Sequence, residues 1–213
     1  MNLRKSALTA LALTALSTAA TAMPNLVVNG GFEADNFNPA FITLPPAPTG
    51  WAISAGTIDG IGNYWQAAAG TNNSIDMFGN SRGTLSQTIN TVAGQTYSVS
   101  YYQSYNPDFN DPSVALVLDI SGATLGSVTS SSPLTFAATH TRTNMQWQLV
   151  STSFVAQDAF TKLSFSSTST LESNIFFGAA LDEVSVSAVP LPGVLSLLLV
   201  GLIGIGASKK RRA

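Results

Sequence analysis

Between residues 25 and 188 the chain alternates apolar and polar side chains in short runs, each closed by glycine, proline, asparagine or serine. A period of two puts successive side chains on opposite faces of a strand, so these runs predict half-buried β-strands. Residues 84–90 set Leu85, Gln87 and Ile89 on one face. Residues 96–105 set Tyr97, Val99, Tyr101, Gln103 and Tyr105 on one face and Ser98, Ser100, Tyr102 and Ser104 on the other. The short turn Ala93-Gly94-Gln95 between them predicts a hairpin. Val114, Leu116, Leu118 and Ile120 make a further apolar face. Shorter runs are expected at 25–28, 51–53, 57–65 (bent at Gly60 and Gly62) and 74–77, with a pair at 146–155 and 160–166 and a last strand at 181–188. The stretch 34–50, with Pro39, Pro45, Pro46 and Pro48, reads as a long loop. About ten short strands and no long helical periodicity predict an all-β jelly-roll sandwich. In that architecture the first and last strands are neighbours, which brings residues 29–33 beside residues 181–183.

The two ends follow other patterns. Residues 1–22 carry Arg4 and Lys5, an apolar run over 7–16 and the small residues Ala20-Thr21-Ala22, the order of a secretory signal peptide cleaved before Met23. Residues 189–213 open with Pro190-Leu191-Pro192, run apolar over 193–207 and finish with Lys209, Lys210, Arg211 and Arg212. Proline stops any preceding strand or helix, and flanking cations hold their side of an apolar segment in the cytoplasm. At about 1.5 Å per residue the apolar run spans roughly 21 Å, short of a hydrocarbon core of about 30 Å. Long basic side chains reaching to the interface close part of the gap. Hydropathy alone serves a plain membrane anchor and a processed signal equally well. The domain between these ends, residues 23–188, is expected to face the outside.

Removing both ends changes the charge. Residues 23–192 keep three cations, Arg82, Arg142 and Lys162, against all eleven acids, a net −8. Such a surface repels phosphate backbones, which argues against nucleic-acid binding. With no cysteine, stability rests on a packed core rather than on disulfides.

Two resemblances follow from particular residues. The order of Pro190-Leu191-Pro192, a short Gly/Leu-rich run and a basic terminus resembles the PEP-CTERM sorting signal of Gram-negative bacteria, although Leu191 stands where the namesake motif has Glu. That resemblance implies recognition by an exosortase in the inner membrane and release to the cell surface or the exopolysaccharide. The body of the chain carries Asn29-Gly30-Gly31-Phe32-Glu33, Gly56-Thr57-Ile58-Asp59, Tyr64-Trp65-Gln66, Ser74-Ile75-Asp76, Gly83-Thr84-Leu85-Ser86-Gln87, Ala93-Gly94-Gln95-Thr96-Tyr97 and Ala180-Leu181-Asp182-Glu183-Val184. In this order they resemble the choice-of-anchor-C family and a plant cell-wall family, domain of unknown function 642. The resemblance implies a galactose-binding-like sandwich, a surface or wall location and contact with polysaccharide, without catalysis.

Candidate sites follow. Asp182 has the parity of Val184 and Val186, so it is expected to point inward, where an unpaired carboxylate costs several kcal/mol. No cation lies near it or Glu33 in sequence; a hard ion taking oxygen ligands answers this. In similar carbohydrate-binding modules the corresponding glutamate and aspartate hold a structural Ca²⁺, so Glu33 and Asp182 are the candidate metal ligands, with solvated loop acids as the plain alternative. Aromatic faces stack on pyranose rings, and Tyr102, standing among serines, leads the candidates, followed by Tyr64, Trp65 and Tyr105. Tyr97, Tyr101, Trp51 and Trp147 are expected in the core. The polar run at 106–111 is a binding loop or simply a turn-rich connection. His140 is the single histidine and no nucleophile elbow, HExxH, Walker loop or CxxC is present. The expectation is a non-catalytic, exported polysaccharide-binding protein; a structural or adhesive matrix protein, or a glycosidase with an unrecognised carboxylate pair, are the alternatives.

Overall fold

The computed structural model describes residues 23–109, 113–124, 127–129, 140–168 and 176–190. The expected signal peptide, and the tail from Leu191 onward with Pro192, Lys209, Lys210, Arg211 and Arg212, lie outside the described residues. Among the described residues no helix is long and apolar enough to cross a membrane.

The strands are β1 (Phe41–Leu44), β2 (Ala52–Ala55), β3 (Ile58–Ile61), β4 (Ser74–Asp76), β5 (Thr84–Asn90), β6 (Thr96–Tyr105), β7 (Ala115–Ser121), β8 (Ser127–Thr129), β9 (Gln148–Val155), β10 (Phe160–Thr168) and β11 (Ala179–Ala188). They form two antiparallel sheets, ordered β1-β3-β4-β11-β6-β9 and β2-β5-β10-β7-β8. The all-β sandwich is as expected, and the inward faces of β5, β6 and β7 are those the alternation predicted. Leu85, Ile89, Tyr97, Val99, Tyr101, Leu116, Leu118 and Ile120 are all buried in one core. There Tyr101 meets Phe165 edge-on at 5.2 Å, and Trp51 lies 6.2 Å from the same ring.

The pairing differs from the sequence reading in two places. β5 and β6 are consecutive but not a hairpin: β5 pairs with β2 and β10, whereas β6 pairs with β11 and β9. The turn at 93–95 therefore carries the chain from one sheet to the other. β9 and β10 separate in the same way. Both strands of each expected pair bury one face in the same core, so packing across the sandwich satisfies the alternation as well as a hairpin does. The expected proline loop contains a strand, β1, which pairs with β3 from Phe41↔Ile61 to Leu44↔Ile58.

Residues 25–28 are not a ladder strand. They run beside the second half of β11, held by Leu26 N–H to the Val186 carbonyl (2.8 Å) and by Asn25, whose side chain accepts from Val186 N–H and donates to the Val184 carbonyl. From the other sheet Gln87 clamps the Val28 backbone through both ends of its amide, at 2.8 and 2.9 Å. Val184 N–H then bonds to the Gly30 carbonyl at 3.0 Å. A Cβ at position 30 would lie 2.0 Å from the Val184 carbonyl oxygen, so only glycine permits this approach. The first and last segments are neighbours, as expected.

Candidate functional site

Along β11 the register breaks between Asp182 and Ser185, where Glu183 takes φ +50°. Two residues, Glu183 and Val184, thus oppose the single Tyr101 of β6, a β-bulge that reverses the side-chain phase. Before it, Leu181 faces the core between the sheets; after it, Val184 and Val186 do. Asp182 pairs with Tyr102, and Ser185 with Ser100, so Asp182 belongs to the outer face of the six-stranded sheet. The inward expectation from parity is corrected: Asp182 is fully buried, but beneath loops that cover the outer face.

Asp182 accepts from Ala68 N–H (2.9 Å), Thr71 Oγ1 (3.1 Å) and Glu183 N–H (2.7 Å). Burial pushes its carboxyl up to about 8, and the neighbouring Glu183 adds to the rise against those hydrogen bonds. Glu33 grips the same loop from its other end, accepting from Asn72 N–H, Asn73 N–H and the Asn72 amide at 2.8, 2.7 and 3.0 Å. Desolvation opposes these bonds, but together they hold exposed Glu33 below the ordinary carboxylate range. The two candidate metal ligands are therefore joined through residues 68–73. Both offer only oxygen, the chemistry a hard cation takes. Among the described residues no three acidic or histidine side chains gather into a metal cage, so a cation here would need backbone carbonyls as well.

A second feature of the outer face was not foreseen. Register partners run Thr43–Asp59–Asp76–Ala180–Ser104 across β1, β3, β4, β11 and β6. Over the first three of these strands opens a cleft of about 200 Å³, lined by Phe41, Thr43, Asp59, Tyr64, Asp76, Asn80, Asn106, Asp108, Phe176 and their neighbours. Phe41 and Phe176 are 47% and 48% exposed. Tyr64 stands edge-on to Phe41 at 5.1 Å and donates its hydroxyl to Asp108 (2.6 Å). Arg142 lies over the Tyr64 ring at 4.0 Å, donates to the Tyr64 hydroxyl and grips both Asp108 oxygens at 2.8 and 2.7 Å. This locks the tyrosine in one rotamer. Desolvation raises Asp108, but the bonds from Arg142 and Tyr64 outweigh it and leave the carboxyl below its ordinary value.

At the floor Asp76 is buried and accepts from Phe78 N–H (3.0 Å), Gly178 N–H (3.0 Å) and the Asn106 amide (2.9 Å). Burial drives its carboxyl well above the usual range, and the Asp59 charge adds to this. Asp59, raised by desolvation, accepts from Thr43 Oγ1 at 2.6 Å.

Of the aromatic candidates, Tyr64 alone presents itself in the cleft. Trp65 forms part of the wall but is only 4% exposed, its indole donating to Ser74 Oγ at 2.8 Å; it supports Tyr64 rather than meeting a ligand. Tyr105 is 6% exposed and packs against His140 at 4.2 Å, so it is a core residue. Tyr102 is half-buried on the outer face, opposite Asp182 and Leu149, away from the cleft lining. Trp51, Tyr97 and Tyr101 are in the core, but Trp147 is half-buried at a small second cluster. Asn106 and Asp108 bring the polar loop into the cleft. Phe41 escaped notice because a proline-rich setting hid β1, and Asp59 and Asp76 because only register makes them neighbours.

Residues 25–187 match the family described as "Protein of unknown function (DUF642)". The chain belongs to the DUF642 family. An 89-residue segment of this DUF642 protein is 37% identical to Halomucin of Haloquadratum walsbyi, which covers 38% of this chain and about 1% of Halomucin's length. Among solved structures, a "Family 16 Carbohydrate Binding Module-2" is similar at TM-score 0.52 and 14% identity, over 76% of this chain and 99% of that one. TmCBM61, solved in complex with beta-1,4-galactotriose, is similar at TM-score 0.48 and 14% identity, over 78% and 99%. At 14% identity the likeness to the family 16 module shows a shared β-sandwich fold and nothing more.

Proposed function

We propose that this DUF642 protein is a non-catalytic, exported polysaccharide-binding module whose ligand lies in the cleft between Phe41, Tyr64 and Phe176. The observation that carries this reading is a recess with the exposed Phe41 and Phe176 rings and exposed Asn80 in its lining, together with the less exposed polar groups of Asp59 and Asn106. Aromatic faces meet the C–H face of a sugar while polar groups take its hydroxyls. The sandwich shared with carbohydrate-binding modules supports the same reading. A glycan array with the wild-type protein and Tyr64→Ala tests it: binding weakened roughly tenfold or more by the substitution, a loss of about 1.4 kcal/mol, is expected. No glycan bound, with concentration-dependent self-association instead, would favour the matrix-protein alternative.

Catalysis is disfavoured by how the reactive groups are spent. Of the three carboxylates lining the cleft, Asp108 is gripped by Arg142, and Asp76 is buried and takes three hydrogen bonds. Ser104 lies 3.3 Å from His140 Nε2, but it is buried and donates to the Met145 carbonyl at 2.5 Å. Sugar release from a polysaccharide panel would overturn this part.

Sorting by an exosortase and transient residence in the inner membrane are proposed from the tail at Pro190-Leu191-Pro192, with delivery to the surface or exopolysaccharide. A structural Ca²⁺ held by Glu33, Asp182 and nearby carbonyls is proposed from the burial of Asp182 without a cationic partner among the described residues. When bound, such an ion would neutralise the carboxylates and fasten residues 68–73 to β11. Thermal melts with and without chelator test it; an unchanged midpoint rejects it.

A further inference from the structure

The cleft and the start of the tail lie at opposite ends of one strand. β11 begins beside the cleft, where Gly178 N–H bonds to Asp76, and ends at Ala188, ten residues later. At about 3.3 Å per residue that separation is about 30 Å. Past Ala188 the chain is still held: Val189 N–H donates to the Thr96 carbonyl (2.8 Å), and the Gln95 amide donates to the Val189 carbonyl (2.7 Å). From Val189 to Gly193, where the apolar run begins, are four residues. Fully extended they reach roughly 14 Å. Whatever surface takes up the apolar run must lie that close to this end of the sandwich.

The end is built accordingly. Its loops at 91–95, 122–124 and 156–160 are tied together by Thr91 N–H to the Ala159 carbonyl, Gly94 N–H to the Ala156 carbonyl and Gln157 N–H to the Gly122 carbonyl. They carry one ionisable side chain, Asp158, in a domain whose net charge is strongly negative. They also carry Val92 and Phe160, 66% and 61% exposed, the two most exposed large apolar side chains among the described residues. Phe160 is the register partner of Asn90, two positions before Val92, so the pair sits together.

We infer that this end of the sandwich is a lipid-contacting foot: while the tail is held in the membrane, Val92 and Phe160 rest in the bilayer interface and the cleft points away from it. The inference rests on the proposed membrane residence of the tail, and it is independent of which glycan the cleft takes. An apolar pair in a nearly uncharged loop cluster suits the interfacial layer, where buried area drives partition, better than it suits bulk water.

The chain has no cysteine, so single reporters can be placed cleanly. The full chain carrying Val92→Cys, Phe160→Cys or, at the far end, Ser81→Cys is labelled with an environment-sensitive fluorophore. It is then reconstituted into vesicles of phosphatidylethanolamine and phosphatidylglycerol at 3:1. Labels at 92 and 160 are expected to shift to the blue and to be quenched several-fold more by spin-labelled lipid than the label at 81. Co-flotation with unshifted, unquenched labels at 92 and 160 overturns the foot and leaves the anchored tail standing. No flotation overturns both. Blue-shifted labels without vesicles mean that the tail or a second copy covers the patch, which also overturns it. Glycan binding on the same vesicles reports separately on the cleft.

Discussion

The space between the two sheets and the outer face of the six-stranded sheet both bury side chains, and they do so differently. Between the sheets, strands present one apolar side chain in two, and Leu85, Leu118, Phe165 and Val186 fill the gap with no charge involved. On the outer face the strands present Asp59, Asp76, Asp182, Ser104 and Tyr102, and loops folded over them make the interior. The first interior is a consequence of pattern. The second is assembled from hydrogen bonds between carboxylates and loop N–H groups, and the candidate binding features, cleft and acid-gripped loop alike, lie there.

Substitutions break this contrast in order of size. Phe165→Ala should destabilise the domain by about 3–5 kcal/mol, since it removes a buried ring that touches both Trp51 and Tyr101. Chemical denaturation measures it. Asp76→Ala should cost about 3 kcal/mol by leaving three buried donors without their acceptor, and it should also weaken glycan binding, which Phe165→Ala should affect only through folding. A loss below about 1 kcal/mol would mean the outer layer rearranges freely.

The third test uses pH. The folded-state value of Asp182 is raised to about 8 from an ordinary 3.8, so between those values the native chain keeps a proton the unfolded chain has lost. Stability contributed by this group is full below about pH 4 and falls as pH rises to about 8, with a slope of at most about 1.4 kcal/mol per pH unit. Asp182→Asn should flatten that slope relative to wild type in melts at pH 5, 6, 7 and 8. Saturating Ca²⁺ should flatten it too if the proposed ion binds, because the carboxylate is then already ionised. The smallest effect belongs to the apolar interior. Tyr101 Oη is buried without a hydrogen-bond partner, and Tyr101→Phe should be neutral or stabilising by up to about 1 kcal/mol; a loss above that would reveal a partner for the hydroxyl.

How legible these regions were follows from the same contrast. Period-two alternation marked β5, β6 and β7 and their inward faces correctly, and the Asn29–Glu33 motif beside the 181–183 segment foretold which chain ends meet. The outer layer was misjudged wherever a local rule met a long-range one. Parity failed at Asp182 because a bulge at Glu183 reversed the phase. Aromatic character misled at Trp65 and Tyr105, which are both buried; at Tyr105 the alternation, which sets it with Tyr97 and Tyr101, had the inward face right.

What the sequence by itself determined is therefore the class and the inside: short strands, one apolar face each. These depend on residues a few positions apart, and local geometry reads them directly. Only the tertiary structure decided which strands pair, that β5 and β6 part into different sheets, and that Phe41, Tyr64, Asp76, Asp108 and Arg142 meet around one cleft. A strand's pattern says which face is buried, but not against what, and partners separated by a hundred residues or more are chosen by the packing of the whole.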